Sequence, residues 1–411
     1  MVEKNFSDAA KKIDTYRDEI IKLQMELTAI PALSPVNGGK GEWEKARYII
    51  AYLKKIGVDS IEECNAPDPR VPEGTRPNII ARIKGKNSSH TIWVMSHMDI
   101  VPPGELSEWK GDPYKVRVEG NKLIGRGVED NQQGMVASLM AVKALRELGV
   151  TPEYDVGLAI VSDEETGSDY GIDYVIKNSS FFRKEDLIIV PDAGNEDGSM
   201  IEVAEKSILW TKYRTIGKQC HGSTPERGIN AHKAAATLLL MIDSLYKKFP
   251  DKDPVFDPPI STFEPTKKEN NVPNVNTIPG EDVFYTDFRI LPKYKVDDVL
   301  AEVSKMIKEV EEGSKVKITT EYPQRADAAP PTPTDAPVVI ALKKAIKDVY
   351  NVDGKPMGIG GGTVAALFRR GGFHAAVWSR LDESAHSYNE YCYIDNIAGD
   401  AKVFAHIFLQ K

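Results

Sequence analysis

Acidic and histidine side chains stand where several apolar runs of the sequence end. The run TIWVMS at 91–96, which favours a buried strand, is followed by His97 and Asp99. Residues two apart in an extended segment point to the same side, so His97 could bind a metal ion while Asp99 accepts its other ring N–H. The pair alone is more typical of an ordinary surface loop at a strand end, and other carboxylates must decide.

Three further segments carry carboxylates in comparable places. GRGVED ends in Asp130, the run GLAIVS is followed by Asp163, Glu164 and Glu165, and DLIIV runs into Pro191 and Asp192. Adjacent like charges at the mouth of a buried strand repel each other, and a bound cation is the simplest remedy. Each segment also has an ordinary interpretation, because Asp130 could be a helix N-cap and the acidic triplet a solvated loop.

A late histidine completes a candidate ligand set. His386 lies in AHSYNEY at 385–391, next to another turn. By contrast, the sequence predicts ordinary surface or helix-face positions for His90, His232, His374 and His406. Three strands that each deliver an acid or a histidine at one end, together with His386, supply a mixture of ligands that suits two zinc ions sharing a carboxylate. The five predicted ligands are His97, Asp130, Glu165, Asp192 and His386.

Length and composition limit the class of protein. At 411 residues the chain exceeds what one hydrophobic core usually organises, so two domains are expected. A net charge of -8, with basic residues interspersed among acidic ones, argues against nucleic acid as a partner. Neither a signal peptide nor a membrane span is expected, and three scattered cysteines argue against a disulfide framework. The sequence predicts a cytoplasmic protein without a membrane partner.

The elements that must position these side chains alternate between strands and helices. Helices are predicted at 9–29, 42–56, 133–148 and 171–178, and strands at 78–83, 91–96, 155–162 and 186–190. This alternation predicts an α/β fold, a mostly parallel sheet with helices on both faces. Open α/β sheets build their sites at the carboxyl ends of the strands, where GRGVED would place Asp130.

The pattern changes after Asp192. Strands at 200–217, 274–290 and 315–321, with helices at 229–248 and 296–312, predict a compact α+β unit. A Pro-rich connector at 325–337 follows, and then the alternation resumes, with elements at 336–350, 363–370, 375–378 and 394–409. The sequence therefore predicts a catalytic metal-binding domain formed by 1–205 and 326–411 and an inserted domain at 206–325.

Eight ordered motifs span nearly the whole chain and resemble one family. They are SHMD (96–99), GRGVED (125–130), SDEETGS (162–168), PDAG (191–194), HGSTPERGINA (221–231), DFR (287–289), GGGT (360–363) and AHSYNE (385–390). The chain resembles the co-catalytic metallopeptidases that include acetylornithine deacetylase, succinyl-diaminopimelate desuccinylase, aminoacylase and carnosine dipeptidase. The resemblance implies a zinc-peptidase-like catalytic domain, and a dimerisation or lid domain at 206–325.

The resemblance also divides the ligands. By position, His97 and Asp192 would bind one metal ion, Glu165 and His386 the other, and Asp130 would bridge both. Asp99 would support His97, and the family's general base falls on Glu164. The implied cofactors are two divalent ions, zinc first, with cobalt or manganese as alternatives.

Further candidates lie in the inserted domain and in a glycine turn. The imidazole of His221 could donate a hydrogen bond to an oxyanion. In the resembled family this histidine reaches the metal site of the partner subunit, so the resemblance implies a homodimer. Arg289 is either an ion-paired strand residue or a clamp for a substrate carboxylate, and the family favours the clamp. The backbone N–H groups of the GIGGGT turn could hold a carboxylate ahead of a helix, or the turn could be a plain one. The remaining substrate-binding candidates are Gly361, Gly362, Thr363 and, across the dimer, Asn276.

Three departures from the family pattern weaken any analogy of substrate. Gln132 and Gln133 stand where many relatives have Lys and Gly, and Val364 stands where many have Asp. Asp at position 192 leans towards di- and tripeptidases, whereas Glu is commoner among deacylases.

Two functions of different class follow. The favoured one is a hydrolase that cleaves the amide bond of a small dipeptide or N-acyl amino acid with a free carboxylate, with Glu164 as general base. The alternative is a metal-stabilised binding protein of the same fold without catalysis. A serine hydrolase is disfavoured because the sequence has no GxSxG elbow.

Overall fold

The computed structural model describes residues 2–411, and contacts divide the chain into two units. The first unit consists of the described residues up to Val203 together with Thr332–Met357 and Thr363–Lys411. The second consists of Ala204–Pro331 and the short segment Gly358–Gly362.

One segment groups differently from what the sequence predicts. Gly358–Gly362 falls within the predicted catalytic segment 326–411, yet its contacts place it in the second unit. Backbone contacts tie the segment to the second unit. Phe256 and Gly358 form an isolated parallel β-bridge, and the N–H of Lys206 donates a hydrogen bond to the carbonyl of Ile359 at 3.0 Å. The other divisions fall at 203/204 and 331/332, where the sequence predicts 205/206 and 325/326.

Strands and helices fill both units. The strands are β1 (Ser60–Glu63), β2 (Ala66–Pro67), β3 (Thr75–Arg76), β4 (Ile79–Ile83), β5 (Asn87–His97), β6 (Arg117–Glu119), β7 (Lys122–Ile124), β8 (Tyr154–Val161), β9 (Leu187–Gly194), β10 (Met200–Glu205), β11 (Ser207–Ile216), β12 (Cys220–His221), β13 (Thr262–Lys268), β14 (Thr277–Ile278), β15 (Glu281–Ile290), β16 (Lys317–Ala326), β17 (Lys355–Ile359), β18 (Ala375–Ser379) and β19 (Tyr391–Tyr393). The helices are α1 (Val2–Ile13), α2 (Arg17–Thr28), α3 (Trp43–Ile56), α4 (Gln132–Glu147), α5 (Ile172–Asn178), α6 (Ala231–Ile242), α7 (Leu245–Lys248), α8 (Val296–Ser314), α9 (Pro337–Tyr350), α10 (Ala365–Arg370) and α11 (Ile394–Phe408).

Two predicted helices are interrupted. The segment 9–29 forms α1 and α2, separated by a 3-10 turn in which Thr15 Oγ1 donates to the carbonyl of Lys12 at 2.7 Å. The segment 229–248 forms α6 and α7, which are separated at Asp243 and Ser244. Side chains of this type bond to nearby backbone and favour turns over helix interiors.

The sheet of the first unit has the strand order β1-β4-β8-β5-β9-β18-β10-β17. Its central pairs, β8 with β5, β5 with β9 and β9 with β18, are parallel, as the sequence predicts. The pairs β1 with β4, β4 with β8 and β10 with β18 are antiparallel. Only residues 84–86 separate β4 from β5, too few for the crossover that parallel strands need, so the sheet is mixed.

The core of the first unit lies on both faces of this sheet. The central residues Ile92–Met95 and Val156–Val161 are buried without alternation, which is typical of strands covered on both sides. Helices α5 and α10 contribute to the cluster around Trp93, and α11 packs against α4. No helix in the described part of the chain is long and apolar enough to cross a membrane.

The second unit has two layers. Its antiparallel sheet has the order β13-β15-β11-β16, and α6 and α8 cover one face with a core that includes Leu209, Tyr213 and Phe284. Alternate residues of the same strands, such as Trp210, point to the opposite face. Strands β12 and β14 form a separate two-stranded ribbon.

Replacing Gly157 with alanine should destabilise the first unit. A Cβ at this position would lie 2.1 Å from Cε3 of Trp93, whose ring is buried and fixed by a 2.8 Å hydrogen bond from Nε1 to Asp186. Overpacking of this kind lowers the free energy of unfolding by about 1–3 kcal/mol. The measurement is the urea concentration at the midpoint of unfolding, which should fall. Gly313→Ala in α8, where a Cβ meets open space, is the matched control and should not lower the midpoint. Equal midpoints for both variants would contradict the packing argument.

Candidate metal centre

Five acidic and histidine side chains meet at the carboxyl-terminal edge of the first unit's sheet. They form two groups of three, whose ligand atoms lie within 4.8 Å of one another: His97, Asp130 and Asp192, and Asp130, Glu165 and His386. Strands β5 and β9 carry His97 and Asp192, Glu165 follows β8, Asp130 precedes α4, and His386 lies between β18 and β19. The structure thus brings together the five residues that the sequence predicts as ligands.

Asp130 belongs to both groups because its two oxygens face different histidines. Oδ1 lies 2.9 Å from Nε2 of His97, and Oδ2 lies 3.0 Å from Nε2 of His386. A second acid stands beside each histidine, Asp192 at 3.3 Å from His97 and Glu165 at 3.1 Å from His386. The arrangement could hold two adjacent cations that share one carboxylate.

A bulge aims Asp192 at this centre. The pairing of β9 with β18 shifts register between Val190 and Gly194, so that Pro191, Asp192 and Ala193 are opposed by Trp378 alone. A bulge redirects side chains away from the regular alternation of a strand. Asp192 therefore reaches the edge although it lies within the assigned bounds of β9.

Asp99 supports both His97 and the turn that follows β8. The other ring nitrogen of His97, Nδ1, lies 3.1 Å from the backbone oxygen of Asp99 and 3.4 Å from its carboxylate. The carboxylate oxygens of Asp99 accept the N–H groups of Glu164 and Glu165, each at 3.1 Å. The ring is thus closer to the backbone than to the carboxylate, which the sequence predicts as its partner.

The charge distribution favours cation binding. Burial raises the pKa of Glu165, and its Oε1 is buried without a hydrogen-bond partner among the described residues. Hydrogen bonds to Asp130 and Glu165 raise the pKa of His386 to about 10. A divalent cation would satisfy the unpartnered oxygen and offset the repulsion among the acids, so the residues fit metal ions.

Glu164 stands beside the two groups without belonging to either. Its Oε2 lies 4.0 Å from Nε2 of His97. Burial, and then the charge of Asp192, raise the pKa of Glu164 well above its usual range. A carboxylate of this kind, near the centre and with its proton held more tightly than usual, is suited to accept and return a proton.

Asn131 has a positioning role that the sequence reasoning missed. Its Nδ2 donates to the carbonyl of Pro191 at 2.6 Å and to Oδ1 of Asp192 at 2.8 Å. Its Oδ1 accepts the N–H of His97 at 3.3 Å. One buried amide thereby links the loop of Asp130 to the two other members of its group, but asparagine next to an aspartate carries no distinctive sequence signal.

Glu390 is a second residue that the sequence reasoning missed. Its carboxylate accepts the N–H groups of Gly127, Glu129 and Asp130 at 3.0, 3.0 and 3.1 Å and pairs with Arg126 Nη1 at 2.7 Å. The carboxylate is fully buried and thus shapes the loop that carries Asp130. Its place at the end of the AHSYNE motif is the signal that could have pointed to it.

Two more buried side chains hold the loop that carries His386. Glu129 accepts hydrogen bonds from the N–H of Asp382 at 2.8 Å and from the backbone and hydroxyl of Ser384 at 2.5 and 2.8 Å. Gln133 donates to the carbonyl of Arg380 at 2.7 Å. The glutamine that departs from the family pattern therefore supports the start of this loop.

The remaining predicted site residues lie mostly in the second unit. His221 and Asn276 come together at the β12–β14 ribbon, where the N–H of Gly222 donates to the carbonyl of Asn276 at 2.7 Å. Arg289 makes two bonds to the carboxylate of Asp287, at 2.7 and 2.9 Å, and donates to the carbonyl of Gly360 at 2.7 Å. These contacts fit the ion-paired interpretation of Arg289.

The helix that follows the glycine turn is shorter than the sequence predicts. Gly361 and Gly362 belong to the second unit and Thr363 to the first. Helix α10 begins at Ala365 and has only six residues, so it adds little charge at its N-terminus.

Known proteins share both sequence and fold with this chain. The sequence model of the family described as "Peptidase family M20/M25/M40" matches residues 93–410 of this chain. An uncharacterized metallohydrolase of Methanocaldococcus jannaschii is 41% identical over 409 residues, covering 95% of this chain and 98% of that protein. Succinyl-diaminopimelate desuccinylase of Pelagibacter ubique is 24% identical over 407 residues, 96% of this chain and 98% of the relative. The fold is similar to that of human carnosine dipeptidase 1, with a TM-score of 0.69 at 19% identity over 99% of this chain and 98% of that one.

Replacing Glu390 with glutamine should weaken both stability and metal binding. The change leaves Arg126 buried without its partner and sets an amide against backbone N–H groups, which costs about 3–5 kcal/mol of the free energy of unfolding. Urea unfolding and calorimetric titration with zinc chloride measure the two effects. Glu383→Gln, an exposed glutamate of the same loop, should change neither. Wild-type stability and zinc binding in Glu390→Gln would refute the positioning role.

Proposed function

Because the chain belongs to peptidase family M20/M25/M40, we propose that it cleaves the amide bond of a small dipeptide or N-acyl amino acid with two bound metal ions. The protein is a hydrolase of the metallopeptidase and amidohydrolase class. One observation carries the proposal: each oxygen of Asp130 faces a histidine that has a second acid beside it, and Glu164 stands just outside both groups.

The proposed cofactors are two zinc ions, with cobalt or manganese as alternatives. His97 and Asp192 would hold one ion and Glu165 and His386 the other, with Asp130 shared. Imidazole nitrogen and carboxylate oxygen are ligands that zinc accepts. When bound, such ions acidify a water molecule and polarise the carbonyl of the scissile amide.

Two side chains are proposed to act on the substrate. Glu164 takes the proton of the attacking water on its carboxylate and then passes it to the nitrogen of the leaving amine. The position of Glu164 supports this role, because its carboxylate lies 4.0 Å from Nε2 of His97 yet belongs to neither ligand group. His221 is proposed to donate a hydrogen bond to the oxyanion of the tetrahedral intermediate.

The substrate is proposed to carry a free carboxylate. Arg289 keeps guanidinium N–H groups beyond those bound to Asp287 and Gly360, and arginine suits planar recognition of a carboxylate. Gly361, Gly362, Thr363 and Asn276 complete the proposed contacts. One relative is named succinyl-diaminopimelate desuccinylase and one protein of similar fold is carnosine dipeptidase 1, so both an acyl-amino acid and a dipeptide are candidate substrates. We favour the dipeptide because Asp at position 192 leans towards di- and tripeptidases in the resembled family.

The protein is proposed to work as a homodimer in the cytoplasm. In the dimer His221 and Asn276 of the second unit would serve the metal centre of the partner subunit. Exposure of His221 supports this arrangement because its ring is available to another molecule.

Glu164→Gln should keep its metal ions and lose turnover. The amide cannot accept a proton, so kcat should fall about 100-fold or more while the ligand groups stay intact. The measurement is metal content by mass spectrometry together with hydrolysis of a panel of dipeptides and acetyl- and succinyl-amino acids.

Glu165→Gln is the matched control, since it alters the neighbouring proposed ligand and should lower metal content as well. An unimpaired rate in Glu164→Gln would remove Glu164 as the base. Inertness of the wild-type protein towards the whole panel, with zinc or manganese added, would overturn the proposed reaction.

Mixed dimers should reveal a role of His221 across the subunit boundary. Glu164→Gln and His221→Ala should each be nearly inactive when expressed alone. Co-expression should restore about a quarter of wild-type activity, since half of random dimers are mixed and each mixed dimer has one complete site. Activity that stays at the level of the separate variants would place His221 in its own subunit's site. A monomer by sedimentation would contradict the dimer.

A further inference from the structure

A groove of about 380 Å³ lies on the second unit's sheet, on the face that α6 and α8 do not cover. Its lining comes from all four strands and comprises Trp210, Thr266, Lys267, Tyr285, Thr286, Asp287 and Pro323. Trp210 is 40% exposed, which is unusual for so large an apolar side chain. The groove therefore offers aromatic surface to a ligand.

Two β-bulges flank the groove. The pairing of β13 with β15 shifts between Pro265 and Lys267, and the pairing of β16 with β11 shifts between Trp210 and Lys212. Both irregularities lie beside Thr286, which is opposed by Thr211 in the centre of the sheet. Bulges bend strands and are frequent next to binding sites, so the concave shape is built into both edge strands.

The floor of the groove is held in place. Tyr285 donates its hydroxyl to Glu269 Oε1 at 2.5 Å, which fixes the direction of its ring. The ammonium of Lys267 lies 4.7 Å from the centre of that ring. The groove thus combines fixed aromatic surface with one ammonium group, that of Lys267, and one carboxylate, that of Asp287, which already binds Arg289.

The groove continues into the proposed carboxylate clamp. Asp287 lines the groove, stands opposite Trp210 and makes the two bonds that hold Arg289. Arg289 lies two residues further along β15, about 7 Å away by the rise of a strand. That distance matches the length of an amino acid from its carboxylate to the end of a long apolar side chain.

We propose that this groove is a specificity subsite that takes the apolar side chain of the substrate residue whose carboxylate is held by Arg289. The inference rests on the proposed function and adds to it a preference for leucine- or phenylalanine-like residues over glycine. Asp287 would be a positioning residue that sets the distance between the carboxylate and the groove.

The test compares substrates that differ only in this side chain. Wild-type protein and Trp210→Ala, both loaded with zinc, are assayed on Gly-Gly, Gly-Leu and Gly-Phe and on acetyl-glycine, acetyl-leucine and acetyl-phenylalanine. In the variant, kcat/KM for the apolar substrates should fall about tenfold relative to the glycine ones. Trp210→Phe should keep the preference, and Tyr322→Ala, an exposed aromatic outside the groove, should leave it unchanged.

A binding measurement keeps this test separate from the proposed reaction. L-Leucine should change the tryptophan fluorescence of the wild-type protein more strongly than glycine, and Trp210→Ala should lose the difference. If no substrate is hydrolysed, the proposed function fails while this titration still decides the subsite. An unchanged leucine preference in Trp210→Ala, or equal fluorescence responses to both amino acids, would overturn the inference. A shift of oligomeric state in Trp210→Ala would assign the groove to a second copy of the chain instead.

Discussion

Repulsion among clustered carboxylates is the constraint on which the rest of the structure depends. Asp130, Glu165 and Asp192 stand with two histidines in groups whose ligand atoms are within 4.8 Å of one another. Such a cluster is unfavourable unless cations compensate it, and it must be held open by something other than its own contacts. The sheet edge supplies part of this support, because neighbouring strands end there in fixed register.

The remaining support is a layer of buried charged and polar side chains behind the centre. Glu390 and Arg126 hold the loop of Asp130, and Arg76, fully buried, pairs with Glu42 and lies 3.3 Å from Asp163. Buried ion pairs of this kind add little net stability, but breaking one is costly. They therefore hold the loops in one arrangement rather than strengthen the fold, as the hydrogen bonds of Asp99 do for the turn after β8.

The second unit uses a sheet with two different faces. Residues facing α6 and α8 form an apolar core, whereas the opposite face carries Trp210, Tyr285, Asp287 and Arg289. Because side chains alternate along a strand, one short sequence can serve packing and recognition at once. Arg289 can therefore be an ion-paired strand residue and still be proposed as a clamp for a substrate carboxylate, because its bonds to Asp287 leave other guanidinium N–H groups available.

The sequence by itself determined the types of the main elements and the five residues of the centre, because hydrophobic periodicity and strand-end acids are local signals and the ordered motifs identified the family. Only the tertiary structure decided the antiparallel flanks of the sheet, the grouping of Gly358–Gly362 with the second unit, and the supporting roles of Asn131 and Glu390. Glu390 lies 261 positions from Glu129, whose N–H it accepts. Pairings over such distances depend on how the chain folds back on itself, and no local pattern of residues encodes them.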